Sequence, residues 1–200
     1  MTADTPPRLD WDNFARMGAE IAEWGATYHK GLGERPVRAP LEPGAVRARF
    51  PQSPPETGEG LDGILAEIDE KIVPGLTHWQ HPRFFAYFPS NATPPSMLAD
   101  FVASILAQQC MLWQTSPAGT EVETLMLDWL RQGLGLPEGF QGVIQDSASS
   151  ATLAAVLTMR EKALNWDGNV SGLPGQSRLR IYASDEVHTS VDRAIWVAGI

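Results

Sequence analysis

The chain has 200 residues, 43% of them hydrophobic and 20% charged, a balance that excludes a disordered polypeptide and leaves enough apolar material for a sizeable core. Its formal charge of -9 and sequence pI of about 4.8 argue against nucleic acid or anionic lipid as a partner, because such binding needs Lys and Arg to neutralise phosphates.

The first ten residues, MTADTPPRLD, hold no apolar stretch that could serve as a signal peptide. No segment approaches the ~20 apolar residues of a membrane span, so a cytoplasmic protein is expected. From Trp11 to Lys30 the apolar residues Phe14, Met17, Ile21, Trp24 and Tyr28 recur at spacings of three and four, with Asp10 as N-cap and Gly31 and Gly33 as stops. This pattern predicts an amphipathic helix. Residues 35–60 are crowded with prolines (Pro36, Pro40, Pro43, Pro51, Pro54, Pro55) and read as an extended connector. A second helix is expected over 61–72, ended by Pro74 and Gly75. Two helices joined by such an arm bury little surface alone, so this region is expected to clasp something larger, either the rest of its chain or a second subunit.

In HPRFFAYFP, from His81 to Pro89, four aromatics fall in five positions (Phe84, Phe85, Tyr87, Phe88), too apolar for an ordinary surface loop. The segment should line a core or a pocket. Helices are expected over 96–108 and from Pro117 to Gly133, the second capped by Ser116, with Pro117 at its first position and Glu121 and Glu123 near the positive end of its dipole. Cys110, the only cysteine, can form no intramolecular disulfide and lies in an apolar run, where a thiol is ordinarily small core filler. A buried strand over 142–145, a helix over 148–164 and a strand over 179–183 then form a strand, helix, strand unit. The loop 165–178 is expected on the surface, free to vary.

Two places could carry chemistry. The turn Gln145-Asp146-Ser147-Ala148-Ser149-Ser150 joins a strand to a helix and gathers free N–H groups, serine hydroxyls and a helix dipole, the ingredients of a phosphate site. The plainer reading is that Ser147 or Ser149 is an N-cap. The turn has neither the pattern of a nucleotide P-loop nor that of a hydrolase elbow. His188 follows a strand, where an open α/β sheet places its ligands; a capping role is the alternative. The pair His78 and His81 is broken by Trp79 and followed by Pro82, so no helical metal-ligand face is available and no metal is expected. Lys30 ends a helix, where a solvated cation complements the dipole.

Taken together, these motifs resemble the group II pyridoxal-phosphate-dependent decarboxylases, closest to the aromatic-L-amino-acid type. The matching stretches are VPGLTHW (73–79) running into His81-Pro82 and FFAYFP (84–89), then MLAD (97–100), Ser116-Pro117-Ala118, Thr120-Glu121, LDWL (127–130), GVIQ (142–145), Ser147-Ala148-Ser149, YASD (182–185), His188, Ser190-Val191 and Arg193-Ala194. The resemblance implies an α/β protein of PLP-dependent transferase fold type I, with residues 1–93 as an N-terminal helical and extended arm, dimer-clasping, and 94–200 as the first part of the cofactor-binding large domain. It implies pyridoxal 5'-phosphate held by Ser147, Ala148 and Ser149, and His188 stacked on the pyridine ring as the catalytic histidine, also touching substrate. Trp79, Tyr87, Phe88, Pro89 and Ser90 would line the substrate pocket. The implied protein is a homodimer with its site at the subunit interface, where Gln109, Met111 and Trp113 of one subunit reach the other's pocket. Its implied reaction is decarboxylation of an aromatic L-amino acid (tryptophan, dopa, tyrosine or phenylalanine) to the amine. Alternatives are an aromatic aldehyde synthase, an acidic amino-acid decarboxylase, and a non-catalytic dimerisation module.

Some positions depart from the family's pattern. Asp146 stands where family members commonly carry glycine, so either its carboxylate points away or phosphate affinity is reduced. Ser150 stands where a glutamate is common. The family's cofactor-anchoring lysine and the aspartate that pairs with the pyridine nitrogen have no counterpart among the 200 residues, since Lys30, Lys71 and Lys162 do not fit that role.

Overall fold

The computed structural model describes residues 11–54, 56, 63–88 and 92–200. The chain divides into two compact units, Met1–Val102 and Ala103–Ile200, the division falling inside one helix.

In the first unit, α1 spans Trp11–Lys30, as its periodicity predicts, and ends in the basic pair His29 and Lys30, which suits the negative end of the dipole. The expected cap Asp10 lies outside the described residues. Met17 is buried, and Phe14 packs on Phe101 of α3 with ring centroids 5.8 Å apart. The connector is folded back on the rest of the unit: the Val37 carbonyl accepts the His78 N–H at 2.9 Å, and Val46 fills the space a side chain at Gly75 would need. The second predicted helix is only one α turn, α2 (Ile64–Glu67), continued by a π turn (Ile68–Ile72) and a 3-10 turn (Val73–Gly75). Pro74 has no N–H to give the Glu70 carbonyl; Arg49 supplies donors instead, reaching Lys71 O at 3.0 Å and Glu70 O at 3.4 Å. Leu61, the predicted start, lies outside the described residues. α3 spans Pro94–Leu106, two residues earlier than predicted, because Thr93 and Ser96 cap each other and leave the first positions to prolines.

In the second unit, α4 (Pro117–Gly133) starts as predicted, with the Ser116 side chain accepting the Gly119 N–H. Glu121 and Glu123 do not serve the dipole. They lie beyond the first turn and are used locally, Glu121 accepting the Trp113 indole N–H at 2.9 Å and Glu123 the Ile144 N–H at 2.8 Å. Cys110 is exposed, contrary to its expected core position. It sits in the turn after α3 with its sulfur against Gly119, where only a glycine leaves room.

α5 spans Ala148–Ala163, α6 is a short turn (Gly168–Ser171) and α7 spans Thr189–Ala198. Val156 of α5 packs against Ala194 and Ala198 of α7, with Leu153, Leu157, Ile181 and Ile200 around them. Alanines one turn apart let the two helices approach closely. Among the described residues no strand is formed, so the two predicted strands are present only as irregular segments. A strand exists through ladder hydrogen bonds with a neighbour, and Ile144 spends its N–H on Glu123 instead. The loop 165–178, expected to vary freely, is tied down: Glu161 accepts the Asn169 N–H, and Asp167 accepts from Ser171 and Gln176.

No described helix is long and apolar enough to cross a membrane.

Candidate functional site

The best-built feature is the start of α5. Ser147 adopts extended backbone (φ -155°, ψ 161°) and accepts the Ser150 N–H, while the Ser150 hydroxyl accepts the Ser147 N–H, a reciprocal capping box. That arrangement consumes the third N–H of the helix. The N–H groups of Ala148 and Ser149 find no acceptor among the described residues, and they point along the positive end of the dipole. Capping and anion binding are therefore compatible here: Ser147 caps, and the next two residues remain as donors.

His188 is the N-cap of α7. Its Nδ1 accepts the Ser190 N–H at 3.2 Å and lies 2.9 Å from Ser190 Oγ. With Nδ1 as acceptor, the neutral ring carries its proton on Nε2. The cap thus fixes the tautomer and leaves an Nε2–H donor.

Only the tertiary structure relates these two places. Arg160, near the end of α5, donates to the carbonyl of Ala198 at the end of α7 (2.9 Å), and a cleft of about 220 Å³ joins their starts, lined by Ser149, Ser150, Ser190 and Arg193 over Leu153 and Val197. The helices run parallel, so two positive dipole ends and four polar side chains meet at one end of the pair. Arg193 forms no ion pair among the described residues. It stands five positions after His188, and the α7 helix brings it to this cleft. A larger cleft of about 360 Å³ lies at the opposite end, beside Arg160, Arg178, Arg180 and Ile200. Its Arg160 is already committed to Ala198, Asn169 and Glu161.

The aromatic segment belongs to the first unit. Trp79 stacks on Tyr87 (centroids 5.6 Å, interplanar angle 26°) and meets Phe84 at 4.8 Å. The expectation of a core or pocket lining is not met within this chain: Phe85, Tyr87 and Phe88 are 91%, 89% and 96% exposed. Their backbone is a run of turns and bends that turns them outward, and no described element lies over them. Tyr87 holds φ at 55°, a conformation that costs a side chain free energy and recurs at functional positions. Pro89 and Ser90 lie outside the described residues. Behind the wall, His78 is buried and its Nδ1 lies 2.7 Å from the Tyr28 hydroxyl, while His81 accepts the Arg83 N–H at Nδ1. Neither imidazole joins a metal-binding group among the described residues.

In the second unit, the capped serine turn and the tautomer-fixed histidine stand at the starts of a parallel helix pair, which offers donors to an anion. Residues 43–200 match the model of the pyridoxal-dependent decarboxylase conserved domain, and the chain belongs to that family. It is 40% identical to aromatic-L-amino-acid decarboxylase of Rattus norvegicus over 204 residues, covering 96% of this chain and 42% of that protein. Among solved structures it resembles Rhodiola rosea 4-hydroxyphenylacetaldehyde synthase (TM-score 0.88, 32% identity, covering 97% of this chain and 42% of that one). It also resembles Catharanthus roseus tryptophan decarboxylase in complex with L-tryptophan (TM-score 0.87, 33% identity, 97% and 41%). The chain thus spans about two fifths of the length of the relatives it matches.

Proposed function

We propose that the full-length protein is a pyridoxal-phosphate-dependent decarboxylase of aromatic L-amino acids. The observation that carries this reading is the convergence at the α5 and α7 starts of unspent N–H donors and a histidine of fixed tautomer, in a member of the pyridoxal-dependent decarboxylase family. The donor set suits the cofactor: a phosphate dianion is matched by the N–H groups of Ala148 and Ser149, by the Ser149 hydroxyl and by the helix dipole. Ser147 orders this turn. When bound, pyridoxal phosphate supplies an electron sink for the pair left behind as the carboxyl group departs as carbon dioxide.

His188 would stack on the pyridine ring, and its Nε2–H would hold or give up a proton there. Trp79, Tyr87 and Phe88, with Pro89 and Ser90, receive the substrate's side chain by stacking. The residues 142–145 and 179–183 join a fold-type-I α/β sheet, and residues 1–93 form an arm that clasps a second copy in a cytoplasmic homodimer. The exposed apolar stripe of α4, Val122, Leu125, Met126, Trp129 and Leu130, supports a further packing surface of this kind.

The test is an assay of the full-length protein, loaded with pyridoxal phosphate, against tryptophan, dopa, tyrosine, phenylalanine and glutamate. Stoichiometric carbon dioxide and amine from an aromatic substrate is the expected result; activity confined to glutamate would overturn the substrate reading. A second reading, aromatic aldehyde synthase, is favoured by the likeness to 4-hydroxyphenylacetaldehyde synthase. Release of aldehyde and ammonia in place of the amine would select it.

A further inference from the structure

The Ser150 hydroxyl sits among four polar groups. It accepts the Ser147 N–H at 3.2 Å, lies 3.0 Å from Ser147 Oγ and 2.8 Å from the Ser147 carbonyl, and donates to Asp146 Oδ1 at 2.5 Å. A hydroxyl has one proton, and an ionised carboxylate is the strongest acceptor in its reach. The proton therefore goes to Asp146. Ser147 Oγ, which accepts the Ser150 N–H, gives its own proton to Ser150 Oγ. Both hydroxyl protons are directed inward along this chain toward Asp146. The outward donors of the turn are reduced to Ala148 N–H, Ser149 N–H and the Ser149 hydroxyl.

We infer that Asp146, held in place by Ser150, sets the affinity of this turn for a phosphate, keeping it lower than the same turn would show without the carboxylate. The inference rests on the cofactor reading above. Asp146 acts through its charge. Its charge stands immediately before the positive end of α5, where a second anion must approach. It also occupies the position from which an aspartate accepts the N–H two residues on, which here is that of Ala148, one of the two free donors. The bond to Ser150 holds the carboxylate away from that donor. Ser150 is thus a positioning residue, and its effect on phosphate runs through Asp146.

Binding of pyridoxal phosphate to the full-length apoprotein, followed by absorbance and tryptophan quenching, tests this. D146A is expected to tighten binding by about three- to tenfold, the effect of one nearby partly screened charge. S150A is expected to weaken it by a similar factor, by releasing the carboxylate onto Ala148 N–H. D146A/S150A should bind like D146A, because Ser150 has nothing left to restrain. Pyridoxal, which lacks the phosphate, should bind all four proteins equally, and competition by inorganic phosphate should follow the order seen for pyridoxal phosphate. Weaker binding in both single variants, with lowered melting temperatures, would show that the pair only braces the turn and would overturn the inference. So would unchanged binding in D146A. If the unaltered protein takes up neither pyridoxal phosphate nor phosphate saturably, the cofactor reading itself fails.

Discussion

Arg160 Nη1 donates to the carbonyl of Ala198 at 2.9 Å, while the same guanidinium pairs with the carboxylate of Glu161 at 2.8 Å. This contact fixes the ends of α5 and α7 side by side, and through two parallel helices it aligns their starts, where Ser149 and Ser190 face one cleft.

Replacing Arg160 by Ala should therefore cost more than a surface ion pair. Glu161 is 3% exposed and Arg160 is mostly covered, so the variant leaves a buried carboxylate without its cation. A loss of roughly 3 kcal/mol is expected from breaking such a pair. Urea unfolding with an unchanged m-value is the check, and a loss below about 0.5 kcal/mol would contradict the buried role.

Gly168 offers a steric test of the same cluster. A Cβ there would lie 2.6 Å from Glu161 Oε1 and 3.0 Å from Leu164 Cδ1, so G168A must push the carboxylate off the Asn169 N–H. Destabilisation of about 1–3 kcal/mol is expected, in line with overpacking elsewhere. Equal stability of G168A and the unaltered protein would show that the loop yields freely.

His78 sets a pH dependence. Burial holds its imidazole below the ordinary histidine range, and the charges of Arg35 and His81 add to the effect. The unfolded chain then takes up the proton first as pH falls. Its contribution to stability is complete above the ordinary value of about 6.5 and is lost as pH drops through that value toward the lower folded one. The carboxylates of Asp128 and Asp167 are also lowered, by hydrogen bonds from Arg131 and Gln132 and from Ser171 and Gln176, but their contributions are lost only at more acid pH. Between pH 7.5 and 5.5 the unaltered protein should lose more stability to urea than H78N does. Parallel losses would remove His78 as the cause.

Ser190 holds the tautomer of His188 with two donors, one of them its hydroxyl. S190A retains the N–H and should lower kcat with little change in KM, because the ring keeps its place but loses part of its orientation. On the role proposed for His188, H188A should lower kcat by about 100-fold or more, the usual scale of a lost acid–base group. A rise in KM alone for S190A would point to a substrate contact and away from orientation.

The parts of this molecule that were legible in its sequence are those decided within a few residues. α1 and α4 have the predicted limits because a spacing of three and four, a serine cap, a proline at the first position and terminal glycines act through neighbouring backbone groups. The break at α2 was only half legible: Pro74 announces an end, but the π turn depends on Arg49, some twenty residues away. The strands expected at 142–145 and 179–183 rest on short runs with apolar side chains, a pattern that says nothing about which backbone will pair with them. Cys110, expected as core filler, is exposed, and the aromatic face is uncovered within this chain, for a related reason. Composition tells that a group prefers cover, and only the fold tells what covers it.

The sequence by itself determined the family, the serine turn, the histidine and the aromatic wall, since each is a short run whose residue types carry their chemistry with them. Tertiary structure alone decided that α5 and α7 run parallel and that Ser149, Ser190 and Arg193 share one cleft. These relations are made by packing and hydrogen bonds among groups whose distances appear only once the helices have closed on one another.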